Sequence, residues 1–248
     1  NVDINRISGY AQWSRKSSIK EHALWYNVGV RIQNWQITGV NIASGNHTVI
    51  SPRAQLSFKP DWDKDMLFRV SGGLYYQPPF YREFRTFDGQ LALGVQAQKS
   101  LHVVAGSEFL FQMWGRKTPF KLNTELYYKY LWDLNPYEIE NVRTRYYANN
   151  NAVGYAYGLD INVHGEFVEG IQSFFKLGLL STKEDIIGDQ YTNYYNAAGE
   201  RIIFGYSEDQ VVVDSAVILP GYIPRPTDQW LTFGALVQDQ MPGYEAFK

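Results

Sequence analysis

Residues that commonly carry out catalysis or bind metals are sparse and scattered in this sequence. Its four histidines lie on different segments, without the spacing of a zinc site: His22, His47, His102 and His164. There is no cysteine, which excludes disulfides, thiolate metal ligands and cysteine nucleophiles. No Ser/His/Asp trio or glycosidase-like carboxylate pair emerges from the spacing. The sequence therefore predicts that the chain is not an enzyme and that it holds no metal or cofactor.

Aromatic side chains suited to ligand binding are concentrated in one long segment, residues 184–227. Aromatic rings and hydroxyls can stack on and hydrogen-bond to a sugar, an aromatic siderophore or a peptide. The candidate ligand-binding residues in this segment are Tyr191, Tyr194, Tyr195, Tyr206 and Arg225, and two more, Tyr81 and Arg82, follow an earlier strand. The alternative is that the rings pack their own loop against its neighbours.

The elements that must position these residues are β-strands, because apolar and polar residues alternate in segments of about ten residues. In residues 23–34, Leu24, Tyr26 and Val28 share one face while Asn27 and Arg31 share the other. Nine segments follow this pattern in whole or in part: 7–16, 23–34, 53–59, 66–77, 100–113, 120–129, 157–164, 171–182 and 231–238. The sequence therefore predicts an all-β fold of nine to ten strands.

Short and long connections alternate between these strands. The predicted short links are 17–22, 60–64, 115–118 and 166–170, and the predicted long links are 35–49, 78–99, 134–149 and 184–227. In an antiparallel up-and-down order, this places every short turn at one end and every long loop at the other, as in outer-membrane barrels. The alternation favours a transmembrane β-barrel over a soluble β-sandwich.

Overall charge and composition exclude one class of partner. The formal net charge is -2, with 23 basic and 25 acidic residues, so the chain lacks the basic character of a nucleic-acid-binding protein.

Aromatic residues make up 16% of the chain, and this composition favours β-strands.

Four segments resemble TonB-dependent outer-membrane receptors, in particular those of Bacteroidetes. They are 50–54 (ISPRA), 76–83 (YQPPFYRE), 149–160 (NNNAVGYAYGLD) and 220–229 (PGYIPRPTDQ). The resemblance implies a barrel of about 22 strands. Residues 1–248 would then form a partial barrel domain, with the other strands elsewhere in a longer polypeptide or in another chain.

The resemblance also implies a function and partners. It implies energised uptake of a siderophore, vitamin, saccharide or peptide, with outer-membrane lipid, a plug domain, a TonB-type coupling protein and a surface lipoprotein as partners. Arg31, Arg53 and Arg69, each on the polar face of its strand, would face the lumen and contact either the plug or an anionic ligand. A passive porin-like channel and a soluble carbohydrate-binding β-protein are the alternatives.

Overall fold

A computed structural model describes residues 2–39, 45–116 and 118–238 of the chain. This part is all-β, with one 3-10 turn at Tyr81–Phe84. The strands are β1 (Val2–Ile19), β2 (His22–Gly39), β3 (Gly45–Lys59), β4 (Asp65–Gln77), β5 (Gln98–Phe111), β6 (Phe120–Leu134), β7 (Tyr137–Glu140), β8 (Arg143–Tyr146), β9 (Ala152–Val168), β10 (Ile171–Ile186), β11 (Tyr191–Tyr195), β12 (Asp214–Ile218), β13 (Ile223–Pro224) and β14 (Thr232–Gln238). No helix among the described residues is long and apolar enough to cross a membrane.

Ten strands form one antiparallel sheet in the order β1-β2-β3-β4-β5-β6-β9-β10, with β13 and β14 both paired to β10. Two small hairpins, β7–β8 and β11–β12, stand in the connections. All nine predicted strands lie in the large sheet, which confirms the all-β antiparallel prediction. Among the described residues, no pairing joins β1 to β13 or β14.

The predicted long link at residues 35–49 is wrong, because most of those residues are strand. β2 continues to Gly39 and β3 begins at Gly45, with Trp35 paired to His47. The alternation breaks down here because Trp35 and Ile37 are large apolar residues at positions that are polar earlier in β2. The three other long links are confirmed, and two of them contain the small hairpins.

Register gives the sheet two chemically distinct faces. Directly paired residues of antiparallel strands lie on the same face, so pairs such as Asn27–Gln55 and Glu125–Asp160 belong to a polar face. Pairs such as Val28–Ala54 and Leu126–Leu159 belong to an apolar face. The short turns lie at one end of the strands, the turn end, and the long connections lie at the other, the loop end.

The apolar face is exposed over most of its area. Side chains on it are between 38% and 76% exposed: Ile7, Val28, Ile32, Ile50, Leu56, Val70, Leu101, Val103, Leu126, Tyr128, Tyr157, Leu177, Phe233 and Val237. In the described part of the chain, no second large sheet covers this face. Within the described residues, the sheet therefore has no sandwich core.

The polar face is the concave one. Residues of β1, β2 and β10 line a single cavity on this face. β10 is the seventh strand from β1 in the order of the sheet. In a flat sheet, the distance between these two strands would be about 34 Å. The shared cavity thus indicates a strongly curved sheet with the polar face inside.

Buried apolar residues are concentrated at the loop end rather than along the sheet. One cluster among the described residues comprises Trp35, Ile37, Phe84, Val95, Ala97 and Ala148. Trp35 and Ile37 belong to β2, and Phe84, Val95 and Ala97 belong to the region that joins β4 to β5. The connection at 78–97 therefore folds inward over the polar face.

Candidate functional site

The central cavity is a space of about 660 Å³ on the polar face, beneath the connection at 78–97. Strand residues form its floor, among them Arg31, Tyr75, His102, Lys129 and Thr182. Arg225, which follows β13 directly, reaches the cavity from outside the regular strands.

The lining of the central cavity is positively charged. Arg6, Arg31, Lys99, Lys129 and Arg225 contribute to it, and none of the described residues that line it is Asp or Glu. Arg225 is held by an ion pair of 3.1 Å between its Nε and a Glu184 carboxylate oxygen. Arg6 donates to the carbonyl oxygen of Pro79 and lies 5.6 Å from the Phe80 ring centre. The cavity therefore suits an anionic group better than a cationic one.

The cavity also contains an aromatic pair and an unpaired hydroxyl. The rings of Tyr75 and His102 stack with their centres 4.2 Å apart. Ser100 is 8% exposed, and its Oγ has no hydrogen-bond partner among the described residues. A buried hydroxyl without a hydrogen-bond partner costs folding free energy. A ligand or water that bonds Ser100 Oγ would remove that cost.

Two asparagines fix the loops above the cavity. Asn135 Nδ2 donates to the carbonyl oxygen of Glu83 at 3.1 Å, and its Oδ1 accepts from the N–H of Ala148 at 2.8 Å. Asn150 exchanges bonds of 2.7 Å and 3.2 Å with the backbone of Gln96. The connections at 78–97 and 135–151 are thereby joined into one unit.

Glu83 lies at the centre of this unit. It is 3% exposed, and its carboxylate accepts from the N–H of Phe80 at 2.6 Å and from Gln98 Nε2 at 2.9 Å. Burial raises the pKa of Glu83 above its ordinary value, although these two hydrogen bonds and the Arg6 charge act in the opposite direction.

The three arginines predicted to face the lumen all lie on the polar face. Arg31 lines the central cavity, and Arg53 pairs directly with Gly29 and Gly73. Arg69 lies 3.9 Å from Glu108 on the neighbouring strand. Contact of these arginines with a plug or a ligand stays a prediction.

The candidate ligand-binding residues are distributed over separate places. Tyr191, Tyr194 and Tyr195 stand in the β11–β12 hairpin, where Tyr194 packs edge-on against Phe204 at 5.9 Å. Tyr206 is 87% exposed on a turn. Arg225 lines the central cavity instead, so the structure does not place these five residues in one described site.

Tyr81 and Arg82 lie on the 3-10 turn, beside arginines that the sequence reasoning missed. The Tyr81 hydroxyl accepts from Arg85 at 2.6 Å. Arg82 and Arg85 share a second cavity with Arg143 and Arg145 of β8. The signal in the sequence was the alternation of Arg143, Thr144 and Arg145, which places both arginines on one face of a short strand.

The described residues contain no group of three or more His, Asp or Glu residues arranged to hold a metal ion. Comparisons of the chain with protein-family models, curated proteins and solved structures found no match.

Proposed function

We propose that this chain forms part of a transmembrane β-barrel in the bacterial outer membrane. The observation that carries the proposal is the exposed apolar face, which runs from Ile7 on β1 to Val237 on β14. Soluble monomers rarely expose a contiguous apolar patch of more than a few hundred Å². A lipid-facing exterior accounts for this surface, because barrel strands present apolar residues to lipid and polar residues to the lumen.

Aromatic residues at both ends of the apolar face support the proposal. At the turn end, Trp114 is 61% exposed and packs edge-on against Phe167 and the buried Phe120, with ring centres 6.0 Å and 5.9 Å apart. At the loop end, Tyr130 and Trp132 of β6 stack at 5.7 Å. Aromatic girdles of this kind mark the two interfaces of outer-membrane barrels.

Within that barrel, we propose that the chain acts in TonB-dependent uptake of a nutrient. The support is the resemblance of the four segments named above, together with long loops at one end and a charged concave face. A plug domain would occupy the concave side, a TonB-type protein would supply energy, and a surface lipoprotein would assist at the loops.

A matched pair of substitutions tests the membrane location. Leu56 lies on the apolar face and is 41% exposed, whereas the adjacent Gln55 lies on the polar face. Leu56→Arg should destabilise the membrane-inserted state by about 2 to 4 kcal/mol, and Gln55→Arg should change it little. Equilibrium unfolding from lipid vesicles measures both, and equal effects would count against the proposal.

Energised uptake is separated from passive conduction by a second experiment. In cells that produce the protein at its natural length, a protonophore should abolish accumulation of the transported solute against its gradient. A passive porin-like channel would equilibrate the same solute whether or not the protonophore is present.

A further inference from the structure

The second cavity at the loop end, the arginine pocket, is defined by Arg82, Arg85, Arg143 and Arg145. Its volume is about 730 Å³. Arg82 and Arg85 come from the 78–97 connection, and Arg143 and Arg145 come from β8, which packs against the 3-10 turn. Four arginines therefore line one cavity in a chain whose net charge is -2.

Two of the four arginines are already held in place. Arg145 Nη1 donates to Glu140 at 2.7 Å, its Nη2 donates to the carbonyl oxygen of Phe87 at 2.5 Å, and its guanidinium lies over the Phe87 ring at 4.8 Å. Arg85 donates to the Tyr81 hydroxyl at 2.6 Å and lies 5.2 Å from that ring. Fixed guanidiniums lose less conformational entropy when a ligand binds.

The other two arginines, Arg82 and Arg143, have no side-chain hydrogen bond or ion pair within residues 2–39, 45–116 and 118–238. Among the described residues that line the pocket, Glu140 is the one carboxylate, and it is bound by Arg145. The nearby Glu138 accepts a hydrogen bond from the Tyr147 hydroxyl. The pocket therefore has an excess of positive charge.

We propose that the arginine pocket binds a ligand that carries two or more oxyanion groups, such as phosphates or sulfates. Guanidinium groups bind these groups through paired, charge-assisted hydrogen bonds. Thr86, whose hydroxyl donates to the carbonyl oxygen of Gln90 at 3.4 Å, and Thr144 also line the pocket. The central cavity has the same sign of charge, so an anion would meet positive charge at both places.

This proposal does not depend on the membrane location, because the pocket is built from loop residues alone. The ligand can come from two sources with the same chemistry: a soluble polyanion or the phosphates of a lipid headgroup. Within the proposed transporter, the first would be a solute for uptake and the second an anchoring lipid.

The test titrates the detergent-solubilised protein, produced at its natural length, with inorganic tripolyphosphate and, separately, with detergent micelles that contain or lack lipid A. The double variant Arg82→Gln/Arg143→Gln should bind at least one probe about tenfold or more weakly than the unchanged chain. Binding should also weaken as salt is added. The probe that binds more tightly identifies the source.

Two further variants keep the result interpretable. Lys20→Gln/Arg201→Gln removes the same charge at exposed positions outside the pocket and should leave binding unchanged. Arg82→Lys/Arg143→Lys keeps the charge and should bind with intermediate affinity, because lysine cannot form the paired bonds. Absence of binding to both probes, or equal losses in the pocket and control variants, would overturn the proposal.

Discussion

Asn135 Nδ2 donates a hydrogen bond of 3.1 Å to the backbone carbonyl oxygen of Glu83, which lies 52 positions earlier in the chain. The same side chain accepts from the N–H of Ala148 at 2.8 Å. One buried amide thus connects the 78–97 connection, the start of the 135–151 connection and its end. The bonds of this residue, together with the apolar cluster, hold the loop end as a unit.

Asn135→Ala should separate the two connections. The substitution leaves the Glu83 carbonyl and the Ala148 N–H without their partners in a buried setting, at a cost of about 1 to 3 kcal/mol for each group. Hydrogen exchange should accelerate at Ala148 and throughout 78–97. Asn193→Ala, in the β11–β12 hairpin, is the control and should leave both regions protected.

Phe84→Ala should release the 78–97 connection from the polar face. Phe84 is 1% exposed and packs with Trp35 and Val95. Removal of its ring leaves a cavity and should lower the local stability by about 3 to 5 kcal/mol. Limited proteolysis should then cleave within 85–97. Phe204→Ala removes a ring that is 60% exposed and should leave the cleavage pattern unchanged. Equal protection of the connection in both variants would contradict the packing of Phe84 against Trp35 and Val95.

Acidification should stabilise the joined loops through Glu83. Burial raises the pKa of Glu83 above its ordinary value of 4.5, so the folded state binds the proton more readily than the unfolded state. Stability of the loops should therefore fall as pH rises from 4.5 through the raised pKa. Hydrogen exchange of 78–97, corrected for intrinsic rates, measures this slope. Glu83→Gln should abolish it, and an unchanged slope in that variant would assign the effect to another group.

Alkaline pH should weaken the β7–β8 hairpin through Tyr147. The hydrogen bond to Glu138 raises the pKa of Tyr147 to about 12, with burial and the Glu138 charge acting in the same direction. The stability that this raised pKa gives the hairpin is fully present below pH 10, the ordinary pKa of tyrosine, and is lost as pH rises through about 12. Tyrosinate absorbance, compared between the unchanged chain and Tyr147→Phe, isolates this titration. Glu138→Gln should lower the pKa of Tyr147.

The strands could be predicted from the sequence because period-two alternation is a local property. Residues 23–34 carry it without interruption, and both faces of β2 were predicted there. The pattern failed at Trp35 and Ile37, which occupy polar-face positions with apolar side chains. They are buried by Phe84 and Val95, and no local pattern indicates that the connection at 78–97, which lies far along the chain from both residues, covers them.

The candidate site was less predictable than the strands. Arg31 was placed correctly on the polar face by alternation alone. The arginine pocket, by contrast, joins Arg82 and Arg85 to Arg143 and Arg145, which are about 60 positions apart in sequence. Only the fold of two connections brings them together. The tyrosines of β11 were predicted as a binding surface, and their contacts with a ligand stay a prediction.

The lipid exposure of the apolar face is the central claim, and the absence of cysteine makes it directly measurable. Single cysteines at adjacent positions, Asn27 and Val28 on β2 and Glu125 and Leu126 on β6, would carry an environment-sensitive fluorophore in the chain reconstituted into vesicles. Brominated lipids should quench the labels at Val28→Cys and Leu126→Cys. The labels at Asn27→Cys and Glu125→Cys should be quenched only by water-soluble reagents. Equal quenching by water-soluble reagents at all four positions, with no effect of brominated lipid, would contradict the membrane barrel.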